Sequence, residues 1–284
     1  MAVEFRADSC TGFALATAVA ELQRPSSHSE PGPPPMSDLS HRIALVTGAS
    51  RGIGRATALA FAAAGADIAF CHLDDPDAAA ATAAAITALG RRVLYRTLDV
   101  ADLPAARAFA AETAATLGPI DILFNNAGMN IRKQFEDYTE AEFNRLFAVH
   151  IKAMFFLAQA VYPAMVARGS GCIINVASQQ GLTGSAGAVP YSAAKAAIIG
   201  FTRALAREAA PLGVRVNAIA PGPIDTDLVR QNSREWQEAF KSRLPARRFG
   251  RPEEIAATAL LLAGPNGGFY VGACLSPNGG DVMH

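Results

Sequence analysis

The chain alternates short runs of apolar residues with longer alanine-rich segments whose apolar positions recur with a helical spacing. The short runs are rich in Val, Ile and Phe, which favours strands. The predicted strands cover residues 43–47, 67–72, 92–98, 120–125, 172–177, 214–220 and 270–275. The predicted helices cover residues 53–64, 77–89, 102–117, a long helix opened by a Thr139–Glu142 capping box, 192–210, a region around Trp236, and 252–263.

Strands that alternate with helices in this way pair in parallel through right-handed crossovers. The pattern therefore predicts an α/β fold, a doubly wound, seven-stranded parallel sheet with helices on both faces, of the Rossmann-like kind. In such sheets, ligands bind in the crevice at the carboxyl ends of the strands. We therefore look for the site in the segments that directly follow the predicted strands.

The strand–helix alternation starts only near His41. Before it, residues 25–35 are rich in proline, which supports neither a helical nor a sheet hydrogen-bond ladder. We expect residues 1–40 to be a disordered N-terminal extension and residues 41–284 to be one domain. A cleaved targeting peptide is the alternative for the extension, although Glu4 and Asp8 do not fit the basic start of a signal peptide.

Composition narrows the classes of function. The 284 residues include 25 Lys and Arg and 25 Asp and Glu, so the chain has no basic excess to hold nucleic acid or an anionic membrane. The four cysteines are far apart, the histidines form no metal motif, and the apolar stretches are short or interrupted. We expect a cytoplasmic protein with a small-molecule substrate, and no metal, nucleic-acid or membrane partner.

A glycine-rich turn joins the first predicted strand to the first predicted helix. It reads Thr-Gly-Ala-Ser-Arg-Gly-Ile-Gly over residues 47–54, with the spacing G-x-x-x-G-x-G. Glycines at this place permit a tight turn and a close approach of the backbone to a pyrophosphate, which the helix N-terminus then attracts. The turn predicts a dinucleotide site; glycines that serve only the turn itself are the alternative.

A second set of residues suggests proton transfer. Tyr191 and Lys195 lie four residues apart and share one helix face, and Ser178 directly follows the fifth predicted strand. A phenol with a pKa near 10 is a poor acid or base at neutral pH unless a cation lies beside it. Lys195 can supply that cation, and Ser178 can hold a substrate oxygen while a hydride moves elsewhere.

These motifs occur in one order with several others: Asp99-Val100, Asn125-Asn126-Ala127-Gly128, Pro221-Gly222 and Asn278-Gly279-Gly280. The set resembles the short-chain dehydrogenases/reductases of the conventional single-domain type, close to 3-oxoacyl-carrier-protein reductases and sugar dehydrogenases, over residues 41–281. The resemblance implies a dinucleotide-binding catalytic domain that transfers a hydride between a nicotinamide cofactor and a carbonyl or secondary alcohol. It implies Tyr191 as general acid/base, Lys195 on the nicotinamide ribose, where it lowers the pKa of Tyr191, and Ser178 as the group that orients the substrate.

The cofactor-binding residues that the glycine turn and the resemblance together suggest are Gly48, Ser50, Arg51, Gly52, Ile53, Gly54, His72, Asp99, Val100, Asn126, Ala127, Gly128, Tyr191, Lys195, Pro221, Gly222, Ile224 and Thr226. The choice of nicotinamide depends on the end of the second strand, where an acidic residue binds the ribose of NAD. Here that strand ends at His72, and Arg51 can meet the 2′-phosphate of NADP. We expect NADP; NAD, with Asp74 or Asp75 on the ribose, is the alternative.

One residue departs from the family pattern. The resemblance places an asparagine in the long helix, where it holds a water that links the lysine to solvent, but this chain has His150 there. The histidine is a fourth candidate catalytic residue. It could hold the same water, titrate near neutral pH, weaken the relay, or simply pack.

The sequence leaves the substrate open. The segment 224–251 carries seven basic against four acidic residues, which favours an anionic substrate such as a 3-oxoacyl thioester. A neutral sugar or polyol is the alternative, and a cofactor-binding sensor without turnover is a second class of function. The long helix is apolar on more than one face, which predicts a homodimer or homotetramer built on it.

Overall fold

The computed structural model describes residues 38–283. Most of the predicted extension, residues 1–37, therefore lies outside the described residues, as does residue 284. The described chain starts slightly before the predicted domain boundary at residue 41. Leu39 is buried in the core, and its amide donates to the carbonyl of Ala64 at 2.8 Å.

The described residues form one sheet of seven parallel strands, with helices on both faces, so the predicted fold class is confirmed. The strands are β1 (Ile43–Thr47), β2 (Asp67–His72), β3 (Val93–Thr97), β4 (Ile122–Asn125), β5 (Gly171–Val176), β6 (Val214–Ile219) and β7 (Cys274–Leu275). Their order across the sheet is β3-β2-β1-β4-β5-β6-β7. The chain reverses direction across the sheet between β1 and β4, which opens a crevice at their carboxyl ends.

The helices follow the predicted alternation. They are α1 (Gly52–Ala63), α2 (Pro76–Ala88), α3 (Leu103–Thr116), α4 (Glu140–Phe147), α5 (Ala153–Arg168), α6 (Gln180–Thr183), α7 (Val189–Ala209), α8 (Asp227–Arg230), α9 (Arg234–Arg243) and α10 (Pro252–Ala263). Asp75 and Asp102 cap α2 and α3 by accepting from backbone amides three residues later, and a proline lies in the first turn of each helix.

The sheet is covered by apolar layers on both sides. On one face, Phe61 of α1 packs edge-on against Phe124 of β4, and both side chains are fully buried. On the other face, Leu157 and Met165 of α5 pack near Leu45 of β1. All five residues of β1 are buried, because helices cover this strand on both faces of the sheet.

The predicted length of the last strand is wrong. It was expected over residues 270–275, but only Cys274–Leu275 pair with β6. Gly272 takes a positive φ of 67°, which interrupts an extended strand. The side chain of Asn217 pairs instead with this segment, donating to the carbonyl of Tyr270 at 2.8 Å and accepting from the amide of Ala273 at 2.9 Å.

The long predicted helix is not a single α-helix. Its capping box is confirmed, since Thr139 accepts from the amide of Glu142 and the Glu142 carboxylate accepts from the amide of Thr139. After α4, however, residues Ala148–Lys152 form a π-helical turn before α5 begins. Such turns are rare and are frequently found at functional sites, and this one contains His150.

The helical stretch Glu140–Arg168 is long and apolar enough, by length and composition, to cross a membrane, which the sequence pattern did not indicate. The core helix of a globular domain passes the same test, and the sheet-facing residues of α5 are buried. Within residues 38–283, no three His, Cys, Asp or Glu side chains group closely enough to hold a metal ion.

Candidate active site

A cleft of about 600 Å³ lies at the carboxyl ends of the strands, where the topology places a ligand. It brings together all but two of the residues predicted for the site. Those that line it are Gly48, Ser50, Arg51, Ile53, His72, Asp99, Val100, Asn126, Ala127, Gly128, His150, Ser178, Tyr191, Lys195, Pro221, Gly222, Ile224 and Thr226. Gly52 and Gly54 do not line it.

The glycine turn is shaped by close backbone contacts. Gly48 has a φ of 68°, and a Cβ there would lie 3.0 Å from Cα of Ala127. A Cβ on Gly54 would lie 2.2 Å from the carbonyl oxygen of Gly48, so this glycine lets α1 pack against the turn rather than touch a ligand. Asn126 also braces the turn, since its amide nitrogen donates to the carbonyls of Thr47 and Gly48 at 2.9 and 3.0 Å.

The start of α1 fits a dinucleotide pyrophosphate. Arg51 precedes the helix in an extended conformation, and its side chain does not cap the first turn. The amide groups of that turn therefore remain available to an anion, which the helix dipole also favours. The residues present thus fit the group that the glycine turn predicted, on the evidence of backbone geometry alone.

Ion pairs surround the half of the cleft next to β2 and β3. Arg51 lies 3.7 Å from a carboxylate oxygen of Asp75 and 3.7 Å from one of Asp227 in α8. Asp99 accepts from Arg145 of α4 at 2.6 Å and from the amide of Ala101 at 2.9 Å. The sequence analysis did not identify Arg145, because a polar residue in a helix carries no signal of a partner 46 residues away.

His72 ends β2 at the same part of the cleft. It is buried, and its Nε2 lies 3.0 Å from the hydroxyl of Thr97. Its Nδ1 is buried and has no partner among the described residues. The structure therefore places an imidazole, not a carboxylate, at the end of β2, as the sequence predicted.

Ser178, Tyr191 and Lys195 meet at the far end of the cleft. Ser178 and Tyr191 both line it there, and Nζ of Lys195 lies 5.5 Å from the centre of the tyrosine ring. Burial raises the pKa of Tyr191, opposed by the Ser178 hydrogen bond and by the charge of Arg132. The predicted effect of Lys195 on the tyrosine is thus not the dominant one in the free protein.

Lys195 is held in place by the sheet. Its ammonium donates to the carbonyl of Val176, the last residue of β5, at 2.7 Å. Burial lowers the pKa of Lys195 from 10.5 to about 7, because the charged form loses its hydration. The group can therefore gain or lose a proton near neutral pH.

His150 lies against the tyrosine from the π-helical turn. The two rings are edge-to-face, with centres 5.3 Å apart. The Nε2 of His150 lies 2.7 Å from the carbonyl oxygen of Met129 and 3.3 Å from the backbone nitrogen of the same residue. The shorter contact favours Nε2 as the protonated donor, while Nδ1 is buried without a partner among residues 38–283. Burial, with the nearby Lys195 charge, lowers the pKa of His150 to about 3, so the ring is neutral at pH 7, as expected.

The tyrosine end of the cleft has further lining residues that the sequence analysis did not name as site residues. Met129, Asn130 and Arg132 come from the loop after β4, Gln179 and Gln180 from the start of α6, and Trp236 and Phe240 from α9. Loops carry no periodicity, so the sequence could indicate these segments but not which side chains face the cleft.

Comparisons with known proteins agree with this geometry. The sequence model described as "short chain dehydrogenase" matches residues 42–238. The chain is 42% identical over 242 residues to nodulation protein G of Azospirillum brasilense, covering 85% of this chain and 98% of the relative. It is 39% identical over 243 residues to acetoacetyl-CoA reductase of Shinella zoogloeoides, covering 85% and 99%.

A solved structure is also similar. The blue fluorescent protein from a metagenomic library, solved in complex with NADPH, superimposes with a TM-score of 0.82 at 35% identity, covering 87% of this chain and all of that one. The family match spans more than half of the chain, and these similarities run over nearly the whole of each relative. The chain belongs to the short-chain dehydrogenase family and is an oxidoreductase by that membership.

Proposed function

We propose that the protein reduces a ketone to a secondary alcohol with NADPH, or catalyses the reverse oxidation, and that Tyr191 is the general acid/base. The observation that carries this proposal is the meeting of Ser178, Tyr191 and Lys195 at one end of a cleft whose other end is the glycine turn. The cofactor, when bound, supplies or accepts the hydride. The protein must then supply only the proton and the orientation of the substrate.

Each of the three residues has a separate task. The hydroxyl groups of Ser178 and Tyr191 both line the tyrosine end of the cleft, so a substrate oxygen placed between them can be held by both groups. Tyr191 donates its phenolic proton to that oxygen during reduction and takes it back during oxidation. Lys195 stays buried against the Val176 carbonyl, where its ammonium stabilises the phenolate that proton donation leaves behind.

NADP is the cofactor that the residues support better. His72 stands where a carboxylate would bind the ribose of NAD, and Arg51 is exposed at the glycine turn, where it can meet a 2′-phosphate. The structural relative with bound NADPH agrees. Asp74 and Asp75 also line the cleft and keep NAD as the alternative, so the ratio of kcat/KM for NADPH and NADH is the deciding measurement.

The substrate proposed is an oxoacyl compound, for which the acetoacetyl-CoA reductase relative gives the first candidate, a 3-oxoacyl thioester. The alternative is a neutral sugar or polyol. Assays in both directions with acyl thioesters, oxo acids, sugars and simple ketones distinguish these substrates. A cofactor-binding sensor is excluded as soon as any of them is turned over.

We also propose that the protein is cytoplasmic, that residues 41–284 form one catalytic domain, and that it assembles as a dimer or tetramer through α4 and α5. Phe143 and Phe155, on these helices, expose 42% and 41% of their surface, although both are large and apolar. A second copy of the same helices would cover these side chains.

The substitution Tyr191→Phe tests the proposed chemistry. It keeps the ring and removes the proton donor, so we expect kcat to fall by at least about 10²-fold while the Kd for NADPH changes little. Tyr162→Phe, the same change on α5 outside the cleft, is the matched control. Normal turnover by the Tyr191→Phe variant would contradict the role of Tyr191.

A further inference from the structure

The loop between β4 and α4 is fixed on both sides of Arg132. On one side, the hydroxyl of Tyr138 lies 2.7 Å from the carbonyl oxygen of Ile131 and donates to it. On the other side, the amide of Lys133 donates to the carbonyl of Gly187 at 3.1 Å, and its ammonium lies 2.6 Å from a Glu142 carboxylate oxygen. The backbone that carries Arg132 is therefore held against the segment before α7.

The side chain of Arg132 differs from the other arginines of the cleft. Arg51 is paired with Asp75, and Arg145 is paired with Asp99. Arg132 lines the cleft and is exposed, and within residues 38–283 its guanidinium makes no hydrogen bond, ion pair or ring contact. A fixed backbone that presents an unpaired guanidinium to a cleft is a typical arrangement for binding an anion.

Arg132 lies where it can contact the substrate rather than the dinucleotide. The loop that carries Arg132 is hydrogen-bonded to Gly187, four residues before Tyr191, and both Arg132 and Tyr191 line the cleft, so Arg132 belongs to the tyrosine end. The carboxylates that line the cleft, Asp74, Asp75 and Asp99, follow β2 and β3 at the other end. At the tyrosine end, the described lining therefore offers Arg132 and Lys195 as basic groups and no carboxylate, and of these two Lys195 is already held by the Val176 carbonyl.

The neighbours of Arg132 are polar but uncharged. Asn130 and Gln180 also line the cleft, and the side-chain oxygen of each has no hydrogen-bond partner among residues 38–283. An amide oxygen accepts a hydrogen bond, so these side chains offer acceptors to a ligand hydroxyl and bring no negative charge that would pair with Arg132.

We propose that Arg132 binds a carboxylate of the substrate itself, so that the preferred substrate is an oxo acid, or the matching hydroxy acid, with a free carboxylate within reach of Tyr191. This inference rests on the proposed reductase function, and within the oxoacyl compounds it favours the free acid over the thioester. A thioester has no charge at the corresponding atom, and a polyol has none at all. A planar guanidinium can hold a carboxylate by two parallel hydrogen bonds, which fixes the direction in which the substrate enters.

The test compares acids with their uncharged esters. For wild type and Arg132→Met, kcat/KM with NADPH is measured for 3-oxobutanoate and 4-oxopentanoate, each against its methyl ester, and for 3-oxobutanoyl-CoA. We expect wild type to prefer at least one acid over its ester, and Arg132→Met to lose about 10- to 100-fold on that acid but less than about threefold on the ester. Arg132→Lys should keep part of the preference, because it keeps the charge.

Arg207→Met is the matched control, since Arg207 is an exposed arginine on α7 that does not line the cleft. A wild-type preference for esters or the thioester, or an equal loss on acid and ester in Arg132→Met, would overturn the inference. A binding measurement distinguishes failure of this inference from failure of the proposed reductase function. Calorimetry measures the binding of butanoate and of butanamide to the complex of the protein with NADP⁺. We expect butanoate to bind at least about tenfold more tightly than butanamide, and Arg132→Met to lose this difference, even if no ketone is reduced. Equal binding of the two compounds to wild type would overturn the inference.

Discussion

At the scale of single residues, His150 is the feature in which this site departs from its family pattern. Its Nε2 lies 2.7 Å from the Met129 carbonyl oxygen, which leaves the buried Nδ1 as the acceptor nitrogen of a ring that packs edge-to-face against Tyr191. A neutral ring with one donor and one acceptor can take the place of an amide in a water chain. The low pKa of His150 makes a role as a group that titrates near neutral pH the least favoured of the alternatives.

We expect His150→Asn to change kcat by less than about tenfold, because the amide keeps a donor and an acceptor. His150→Leu should lower kcat more than it weakens NADPH binding, because only the proton path is lost. Steady-state kinetics from pH 5 to 9 check both variants, and any step near pH 7 should be the same in wild type and His150→Asn, because Lys195 and not His150 titrates in this range. Identical behaviour of the two variants would instead make His150 a packing residue.

Lys195 gives a prediction about stability and pH. Its pKa in the folded protein is about 7 against 10.5 when exposed, so between these values the unfolded chain binds more protons than the folded one. The contribution of Lys195 to the free energy of unfolding therefore increases as the pH rises above about 7, by up to about 1.4 kcal/mol per pH unit. Below about pH 7 both states are protonated, and the full cost of burying the charge remains.

The comparison with Lys195→Met isolates this contribution. Urea unfolding of the protein without cofactor, from pH 6 to 9, should show the stability of wild type increasing relative to the variant as the pH rises. The buried thiol of Cys71, whose pKa burial raises to about 11, acts in both proteins and cancels in the difference. A constant difference across this range would show that Lys195 keeps its ordinary pKa.

At the scale of elements, the start of α4 connects the fold to the site. The capping box of Thr139 and Glu142 fixes the first turn of this helix, and the same Glu142 carboxylate pairs with Lys133, next to Arg132. The Glu142 carboxylate thus stabilises both the first turn of α4 and the loop that lines the cleft. Its pKa is held at about 2 by the Lys133 ammonium and the Thr139 backbone amide.

We expect Thr139→Ala to lower the free energy of unfolding by about 1 kcal/mol, because the amide of Glu142 loses its acceptor. Thr139→Ser keeps the hydroxyl and should stay close to wild type. Urea unfolding curves of the three proteins measure the effect. Equal stabilities of Thr139→Ala and wild type would mean that water replaces the cap.

At the scale of the whole molecule, the unpartnered side of α4 and α5 predicts assembly. Phe155 is 41% exposed beside Phe156 and Phe201, with ring centres 5.1 and 5.5 Å away. We expect Phe155→Arg to convert the proposed dimer or tetramer into smaller species, since a charge would have to be buried in an apolar contact. Light scattering measures the mass, and circular dichroism checks that the fold is kept.

Leu212→Arg is the matched control, because Leu212 is 45% exposed but lies after α7, outside α4 and α5. It should leave the mass unchanged. A wild-type protein that is monomeric at micromolar concentration would contradict the proposed assembly directly.

The sequence by itself determined the architecture of the sheet and the order of the site motifs along the chain. Local spacing and turn residues predicted β2 at 67–72 and α10 at 252–263 with the bounds observed, because both elements follow from periodicity and from prolines or glycines at their ends. The glycine turn and the spacing of Tyr191 and Lys195 are equally local, so their places at the cleft could be predicted once the parallel topology was known.

Tertiary structure decided what depends on contacts between distant segments. The contacts of Asn217 in β6, together with the positive φ of Gly272, shape residues 270–273 and shorten β7. The π-helical turn at His150 has no signature in the apolar pattern. The unpaired state of Arg132 is likewise invisible in the sequence, which has many arginines and acidic residues that could have paired. Periodicity reports the face that a residue occupies, whereas the partners of a charged side chain are set by how loops from different strands meet.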